Sequence, residues 1–168
     1  MMTVQPTIER ETLDAELRAQ FETFLDEHRE RLAAVLDGLT EQEARASLVP
    51  SRATLLGLLK HGSFVEKVWF DAALTGRTRA EIGIPENPDE SFVLAADDDI
   101  PTVRATYEQA CAASRRATAH LSLDDPLPGH RLSPLPLRWA YLHVLRELAQ
   151  HLGHAEILRE QLLAKRAS

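Results

Sequence analysis

Three histidines and a glutamate recur at helical spacing near the end of the sequence, and side chains of these types can bind a metal ion. They are His143, Glu147, His151 and His154, separated by four, four and three positions. At about 100° per residue, this spacing stacks the four side chains along one side of an α-helix. Imidazole and carboxylate groups are common ligands of divalent transition metals. The sequence therefore predicts a metal site on this helix.

The segment 137–163, which carries these four residues, has the pattern of one long amphipathic helix. Its apolar residues recur at three- and four-residue steps, and it contains no proline. They are Leu137, Tyr141, Val144, Leu145, Leu148, Leu152, Ala155, Leu158 and Leu162. Glu147 and His151 lie on adjacent turns, so both can reach one ion if a third ligand comes from a facing helix.

His61 is the candidate for that third ligand. It is the only histidine in the second predicted helix, which begins at Ser51 or Thr54 and ends at Gly76, and it borders the buried face of this helix. Three protein ligands with one open position are typical of a reactive metal site rather than a structural one. A histidine in such a place is equally often a hydrogen-bonded core residue, so both interpretations stay open.

Four predicted helices indicate an all-α fold, a four-helix bundle. They span about 13–36, 51–76, 100–121 and 137–163, and Thr12 is the expected N-cap of the first. Residues 76–99 form a long polar crossover between the second and third helices, in which 92–94 is expected to be a brief extended piece. Residues 122–136 form a proline-rich loop before the last helix.

Composition and charge exclude several classes of protein. The chain has 168 residues, 44% of them hydrophobic and 27% charged, which suits one domain over 1–168 with a loose arm at 1–10. A formal net charge of −7 argues against nucleic-acid binding, and charged residues interrupt every apolar run that could cross a membrane. The N-terminus lacks a signal-peptide pattern, so a cytoplasmic protein is expected. One cysteine, Cys111, excludes an internal disulfide and a cysteine-rich zinc site.

The order and spacing of these segments resemble the DinB-like superfamily of four-helix bundles, in the branch near the N-terminal domain of mycothiol-dependent maleylpyruvate isomerase. The resemblance covers about 12–163 and is carried by three segments: LLGLLKHGSFVEKVWF, the acidic crossover after LTGRTRAEIG, and RELAQHLGHAEILRE. It implies that His61, Glu147 and His151 bind a divalent metal. Zinc is the favoured metal, with nickel or iron as alternatives.

The known activities of that superfamily imply an enzyme that acts with a low-molecular-weight thiol, such as mycothiol or bacillithiol, by S-transfer or isomerisation. A thiol at the open position of the metal would be deprotonated and would attack a small electrophile. His143 and His154 are expected beside the ligands or in the pocket. Trp69 and Trp139 can line a pocket, although core packing is the favoured use of both. Arg159 is a candidate to bind a carboxylate of the thiol, and the favoured alternative is a solvated arginine at the helix end. The resemblance also implies a homodimer.

Two other interpretations stay open. In one, the protein is a non-catalytic metal-binding or stress-response bundle that acts through dimer or partner contacts, and a coordination sphere completed by His154 would favour it. In the other, the bundle holds no metal. Glu147 and His151 would then form an ordinary i, i+4 pair worth about 0.2–0.5 kcal/mol.

Overall fold

The computed structural model describes residues 10–132 and 134–166. The α-helices in these ranges are α1 (Arg10–Leu13), α2 (Leu17–Ala34), α3 (Glu41–Ala44), α4 (Leu55–Lys67), α5 (Ala73–Thr75), α6 (Ile100–Thr118) and α7 (Leu137–Arg166). A π-helical turn (Val68–Ala72) joins α4 to α5, a 3-10 helix (Pro88–Phe92) lies in the crossover, and β1 (Pro126–Leu127) and β2 (Leu135–Pro136) precede α7. No helix in this part of the chain has both the length and the apolar character of a membrane span. The predicted arm lies outside the described residues except for Arg10.

The four long helices form a bundle around a hydrophobic core, and the predicted all-α fold class is confirmed. α2 packs along α7, and α4 packs along α6 and also contacts α7. All four helices contribute to the core, whose fully buried side chains include Leu25, Leu32, Leu56, Leu59, Tyr107 and Leu148. The contact between α4 and α7 is the one that concerns the predicted metal site.

The first predicted helix is divided in the structure. α1 ends at Leu13 and α2 begins at Leu17, so the expected N-cap at Thr12 is wrong. The side-chain amide of Gln20 donates a hydrogen bond to the carbonyl oxygen of Ala15 at 2.8 Å. This bond satisfies the carbonyl group of Ala15, which accepts no helical backbone hydrogen bond at the break between α1 and α2.

α4, the π-helical turn and α5 together form the predicted second helix. Thr54 caps its first turn by accepting a hydrogen bond from the backbone N–H of Gly57 at 3.0 Å. Gly76 follows its last turn with φ 77°, in the left-handed region that glycine adopts at little cost. The sequence does not predict the π-helical turn, in which the adjacent residues Trp69 and Phe70 are both buried.

The 3-10 helix in the crossover replaces part of the extended piece expected at 92–94. Asn87 caps it by accepting a hydrogen bond from the backbone N–H of Asp89 at 3.0 Å, and Pro88 stands in its first turn. Both features favour a helical turn. Of the three residues expected to be extended, Phe92 is therefore in the 3-10 helix, and Val93 and Leu94 lie outside it.

Contacts with α4 hold the crossover in place. The ammonium group of Lys60 donates to the carbonyl oxygen of Val93 at 2.9 Å and to the carboxylate of Asp98 at 2.6 Å. A Cβ atom on Gly57 would lie 2.8 Å from the carbonyl oxygen of Phe92, so glycine at this position allows the crossover to approach the helix. The 3-10 helix is therefore fixed over the first half of α4.

The loop before α7 contains a two-stranded antiparallel hairpin that the sequence does not predict. Between its strands, the backbone N–H of Gly129 donates to the carbonyl oxygen of Ala73 at 2.9 Å. A Cβ atom on Gly129 would lie 2.3 Å from the carbonyl oxygen of Ala72, so this approach requires glycine. The contact places the next residue, His130, beside the π-helical turn.

Candidate metal centre

His61 lies in the middle of α4 and is 5% exposed, since α4 is buried along most of its length. Its ring stacks on that of Phe92, with centroids 4.0 Å apart and an angle of 12° between the planes. The Phe64 ring lies 5.7 Å away. The Nδ1 atom of His61 is 2.6 Å from Oγ of Ser91. The crossover and α4 together fix the ring and leave Nε2 for other contacts.

Glu147 and His151 extend from successive turns of α7, as their spacing predicts. The Nε2 atom of His151 is 3.5 Å from one carboxylate oxygen of Glu147, and Nε2 of His143 is 3.4 Å from the other. The side chains of Glu147 and His151 are 24% and 14% exposed. The pair therefore lies at the edge of the core, where a small molecule can reach it from solvent.

Packing of α4 against α7 brings His61, Glu147 and His151 together. One ligating atom from each residue lies within 4.8 Å of those of the other two. The rings of His61 and His151 meet edge to face, with centroids 4.6 Å apart. Within residues 10–132 and 134–166, no other group of three histidine, cysteine, aspartate or glutamate side chains is arranged in this way. These three residues are called the His–Glu cluster below.

Burial keeps both imidazoles of the cluster neutral at neutral pH. Burial and, secondarily, the neighbouring His151 lower the pKa of His61 to about 3. Burial also lowers the pKa of His151, although the carboxylate of Glu147 partly opposes this effect. A neutral imidazole has a lone pair on one of its nitrogens, and this is the form that binds a metal.

The donor set of the cluster fits a divalent cation. Two imidazoles and one carboxylate form the His2Glu combination found in catalytic zinc sites. Nε2 is the ring nitrogen of His151 that lies near Glu147, whereas its Nδ1 is buried and has no hydrogen-bond partner among the described residues.

A family model described as mycothiol-S-transferase matches residues 20–164. The chain belongs to the mycothiol S-transferase family. The matched range begins within α2, ends within α7 and includes the whole His–Glu cluster. Membership of this family agrees with the resemblance to DinB-like bundles. No curated protein matches the sequence.

Trp69 packs beside the cluster, between two histidines. Its ring centroid is 4.3 Å from that of His143 and 5.1 Å from that of His130. Only 8% of Trp69 is exposed, so its ring is packed among its neighbours, and a role in a pocket stays a prediction. His143 lies beside the cluster, because it contacts both Trp69 and Glu147. The sequence predicts no role for His130, whose position depends on the hairpin.

His154 lies next to the cluster and outside it. Its ring centroid is 6.1 Å from that of His151, its side chain is exposed, and it is not among the three residues whose ligating atoms converge. Trp139, for which core packing is the expected use, is 52% exposed. It lies near the start of α7, on the solvent side of that helix, so the expectation of core packing is wrong.

Arg159 lies against the end of α2. Its guanidinium group donates to the carbonyl oxygens of Val35 and Asp37, at 2.6 and 2.8 Å. These carbonyls follow the last turn of α2, where a cation and a donor are both favourable. The structure therefore gives Arg159 a capping role, and its contact with a thiol carboxylate stays a prediction.

Two cavities lie away from the cluster. One has a volume of about 150 Å³ and lies between α2, α6 and α7, beside Arg29 and Tyr141. The other has a volume of about 360 Å³ and lies between α4 and α6. Neither is lined by a residue of the His–Glu cluster. A ligand would therefore reach the cluster along the exposed edges of Glu147 and His151.

Proposed function

We propose that this member of the mycothiol S-transferase family is a divalent-metal-dependent enzyme that joins a mycothiol-type thiol to a small electrophile. The observation that carries the proposal is the convergence of His61, Glu147 and His151 from two helices. Zinc is the expected metal because it favours this donor set, and nickel or iron are alternatives. S-transfer is favoured over the isomerisation of the maleylpyruvate isomerase branch, because the family that matches is named for S-transfer.

The three residues of the cluster have distinct parts in this proposal. His61 and His151 provide neutral nitrogen donors, and Glu147 provides one negative charge that offsets part of the charge of a divalent cation. When bound, such a cation lowers the pKa of a thiol at its open position, so that the thiolate exists at neutral pH.

Residues around the cluster orient the ligands and shape the approach to them. His143 contacts the oxygen of Glu147 that does not face His151, which restricts rotation of the carboxylate. The rings of Phe92 and Phe64 lie against His61 and keep water from that side. The thiol and the electrophile would thus approach from the exposed side of α7.

Metal content tests the first half of the proposal. The native protein, His61→Ala, Glu147→Ala and the control His154→Ala would be incubated with zinc or nickel, separated from free ions and measured by elemental analysis. We expect near-stoichiometric metal in the native protein and in the control, and little in the other two variants. A native protein that retains no metal would refute the metal-dependent mechanism.

Thiol transfer tests the second half. The same four proteins would be assayed for the consumption of mycothiol in the presence of a reactive haloaromatic electrophile, with and without bound metal. We expect turnover only in the proteins that retain metal. Metal binding without any thiol transfer would instead support the non-catalytic bundle described above.

A further inference from the structure

We propose that Ser91 sets the tautomer of His61, so that the imidazole proton lies on Nδ1 and the lone pair lies on the nitrogen left for the cluster. Ser91 would then be a positioning residue, which acts on His61 and touches neither metal nor substrate. The inference rests on the proposed metal site and adds the residue that prepares one of its ligands.

The argument begins with the single proton of the Ser91 hydroxyl group, which has two neighbours. Its Oγ atom is 2.5 Å from the carbonyl oxygen of Pro88 and 2.6 Å from Nδ1 of His61. A carbonyl oxygen can only accept a hydrogen bond, so the hydroxyl proton must lie toward Pro88. Oγ of Ser91 then accepts from His61, and Nδ1 of His61 carries the proton.

The opposite tautomer would leave one of these contacts without a proton. If Nδ1 of His61 were unprotonated, it and the carbonyl of Pro88 would both need the one hydroxyl proton of Ser91. Water cannot readily replace the missing bond, because Ser91 is 3% and His61 is 5% exposed. A buried acceptor without a donor is unfavourable, so the contacts select the Nδ1–H form.

The fold holds Ser91 in this position from two directions. The capped 3-10 helix fixes the carbonyl of Pro88 relative to the hydroxyl group three residues later. The carbonyl oxygen of the next residue, Phe92, lies close to Gly57, and the ring of Phe92 stacks on that of His61. The same turn of the crossover therefore supplies the hydrogen-bond acceptor for His61 and the surface against which its ring lies.

The arrangement matches a general feature of metal-binding histidines, whose second ring nitrogen usually donates to a fixed acceptor. In this cluster a serine hydroxyl group is the acceptor for His61. The second histidine lacks such a partner, because Nδ1 of His151 has none in the part of the chain that the structure describes. Of the two rings, His61 is thus the one whose tautomer the protein fixes.

The tautomer is measurable without any metal. Nitrogen-15 NMR of the metal-free protein distinguishes protonated from unprotonated ring nitrogens, and a His61→Asn variant assigns the signals. We expect His61 to carry its proton on Nδ1 in the native protein and in Ser91→Thr, which keeps the hydroxyl group. In Ser91→Ala we expect the Nε2–H form to appear. The matched control is Ser63→Ala, because Ser63 is also buried on α4 and its hydroxyl group has no partner among the described residues.

Zinc affinity provides the second readout. We expect Ser91→Ala to bind zinc roughly 10- to 100-fold more weakly than the native protein, as for other partners of metal ligands. Ser91→Thr should restore most of the affinity, and Ser63→Ala should leave it unchanged. Circular dichroism would verify that each variant is folded. If Ser91→Ala does not fold, the tautomer of the native protein and of Ser91→Thr decides the question.

Two results would overturn the inference. One is a native protein in which His61 carries its proton on Nε2. The other is a folded Ser91→Ala that keeps both the Nδ1–H tautomer and the native zinc affinity. If the native protein binds no zinc, the proposed metal site fails, yet the tautomer measurement still tests Ser91.

Discussion

His61 and His151 face each other across the contact between α4 and α7, with ring centroids 4.6 Å apart and planes at 78°. Burial lowers the pKa of both rings, so no charge attracts or repels them at neutral pH. Their closeness is therefore set by the packing of the two helices and by the crossover over His61. A cation would meet donors that the fold has already brought together, which lowers the ordering cost of binding.

Zinc is expected to stabilise the folded protein, because it would bind the cluster in the folded chain and not in the unfolded one. At a free zinc concentration about 100 times Kd, the gain is about 2.7 kcal/mol. Glu147→Gln keeps the size of the side chain and removes its charge, so we expect it to lose most of the zinc-dependent shift in Tm. Thermal unfolding with and without zinc measures this. An equal shift in Glu147→Gln and in the control His154→Gln would show that Glu147 is not a ligand.

Arg159→Ala is expected to lower the free energy of unfolding by about 1 kcal/mol, because its guanidinium group caps the end of α2. Zinc affinity and the KM for the thiol should not change, since the contacts of Arg159 lie at that helix end. Urea unfolding and thiol-transfer kinetics would be measured on the same preparation. A raised KM with unchanged stability would support the carboxylate-binding role predicted from the sequence.

A buried ion pair connects α2 to α4. Arg29 donates to both carboxylate oxygens of Glu66 at 2.8 Å, and the two residues are 5% and 0% exposed. Arg29→Met alone leaves the buried carboxylate of Glu66 without its partner and is expected to cost about 3–5 kcal/mol. Glu66→Met should cost less, because Arg29 keeps its ion pair with Asp26 at 2.9 Å. The double variant should be clearly more stable than the sum of the single losses predicts, because it removes both charges. Urea unfolding of all four proteins measures the coupling, and additive losses would contradict it.

Local periodicity in the sequence was sufficient to locate the long helices and the three residues of the cluster. The register of Glu147 and His151 follows from helix geometry alone, and the apolar stripes of α4 and α7 indicate which faces meet. His61 could be selected because it borders such a stripe. Each of these inferences uses residues within one or two turns of each other, where spacing determines direction.

Features that depend on contacts between distant segments could not be predicted in this way. The Asn87-Pro88 pair indicates a capped turn, but nothing in the sequence says that this turn covers His61. Trp69 and His130 meet only because a hairpin glycine approaches the π-helical turn. Arg159 has the spacing of a pocket residue, and its actual partners are carbonyls more than 120 positions earlier in the chain.

Gly129→Ala is expected to destabilise the protein and to separate the hairpin from α5, because a Cβ atom would lie 2.3 Å from the carbonyl oxygen of Ala72. The contact between His130 and Trp69 should weaken, which tryptophan fluorescence would report. Gly153→Ala is the matched control, since this glycine lies inside α7 and a Cβ atom there would meet nothing within 4 Å. The control should gain about 0.5–1 kcal/mol from helix propensity. If the two variants were equally stable in urea, position 129 would have room for a Cβ atom, which would contradict the prediction.

Glu43 connects the end of α7 to α3, and this connection should make stability fall in acid. Its carboxylate accepts hydrogen bonds from Arg166 at 2.5 Å and from the backbone N–H of Thr40 at 2.8 Å. These bonds, that from Arg166 first, lower its pKa from 4.5 to about 2. A lowered pKa means that the unfolded chain binds the proton more readily. The contribution is therefore complete above about pH 4.5 and is lost as the pH falls toward 2.

Glu43→Gln should accordingly be less stable than the native protein near pH 7, and the difference should shrink between pH 4.5 and pH 2, where the native carboxylate itself becomes protonated. Urea unfolding at a series of pH values measures the two curves. Glu160→Gln, which changes an exposed carboxylate on α7, serves as the control and should follow the native curve. A constant difference between native protein and Glu43→Gln across this range would show that the charge of Glu43 does not hold the helix end.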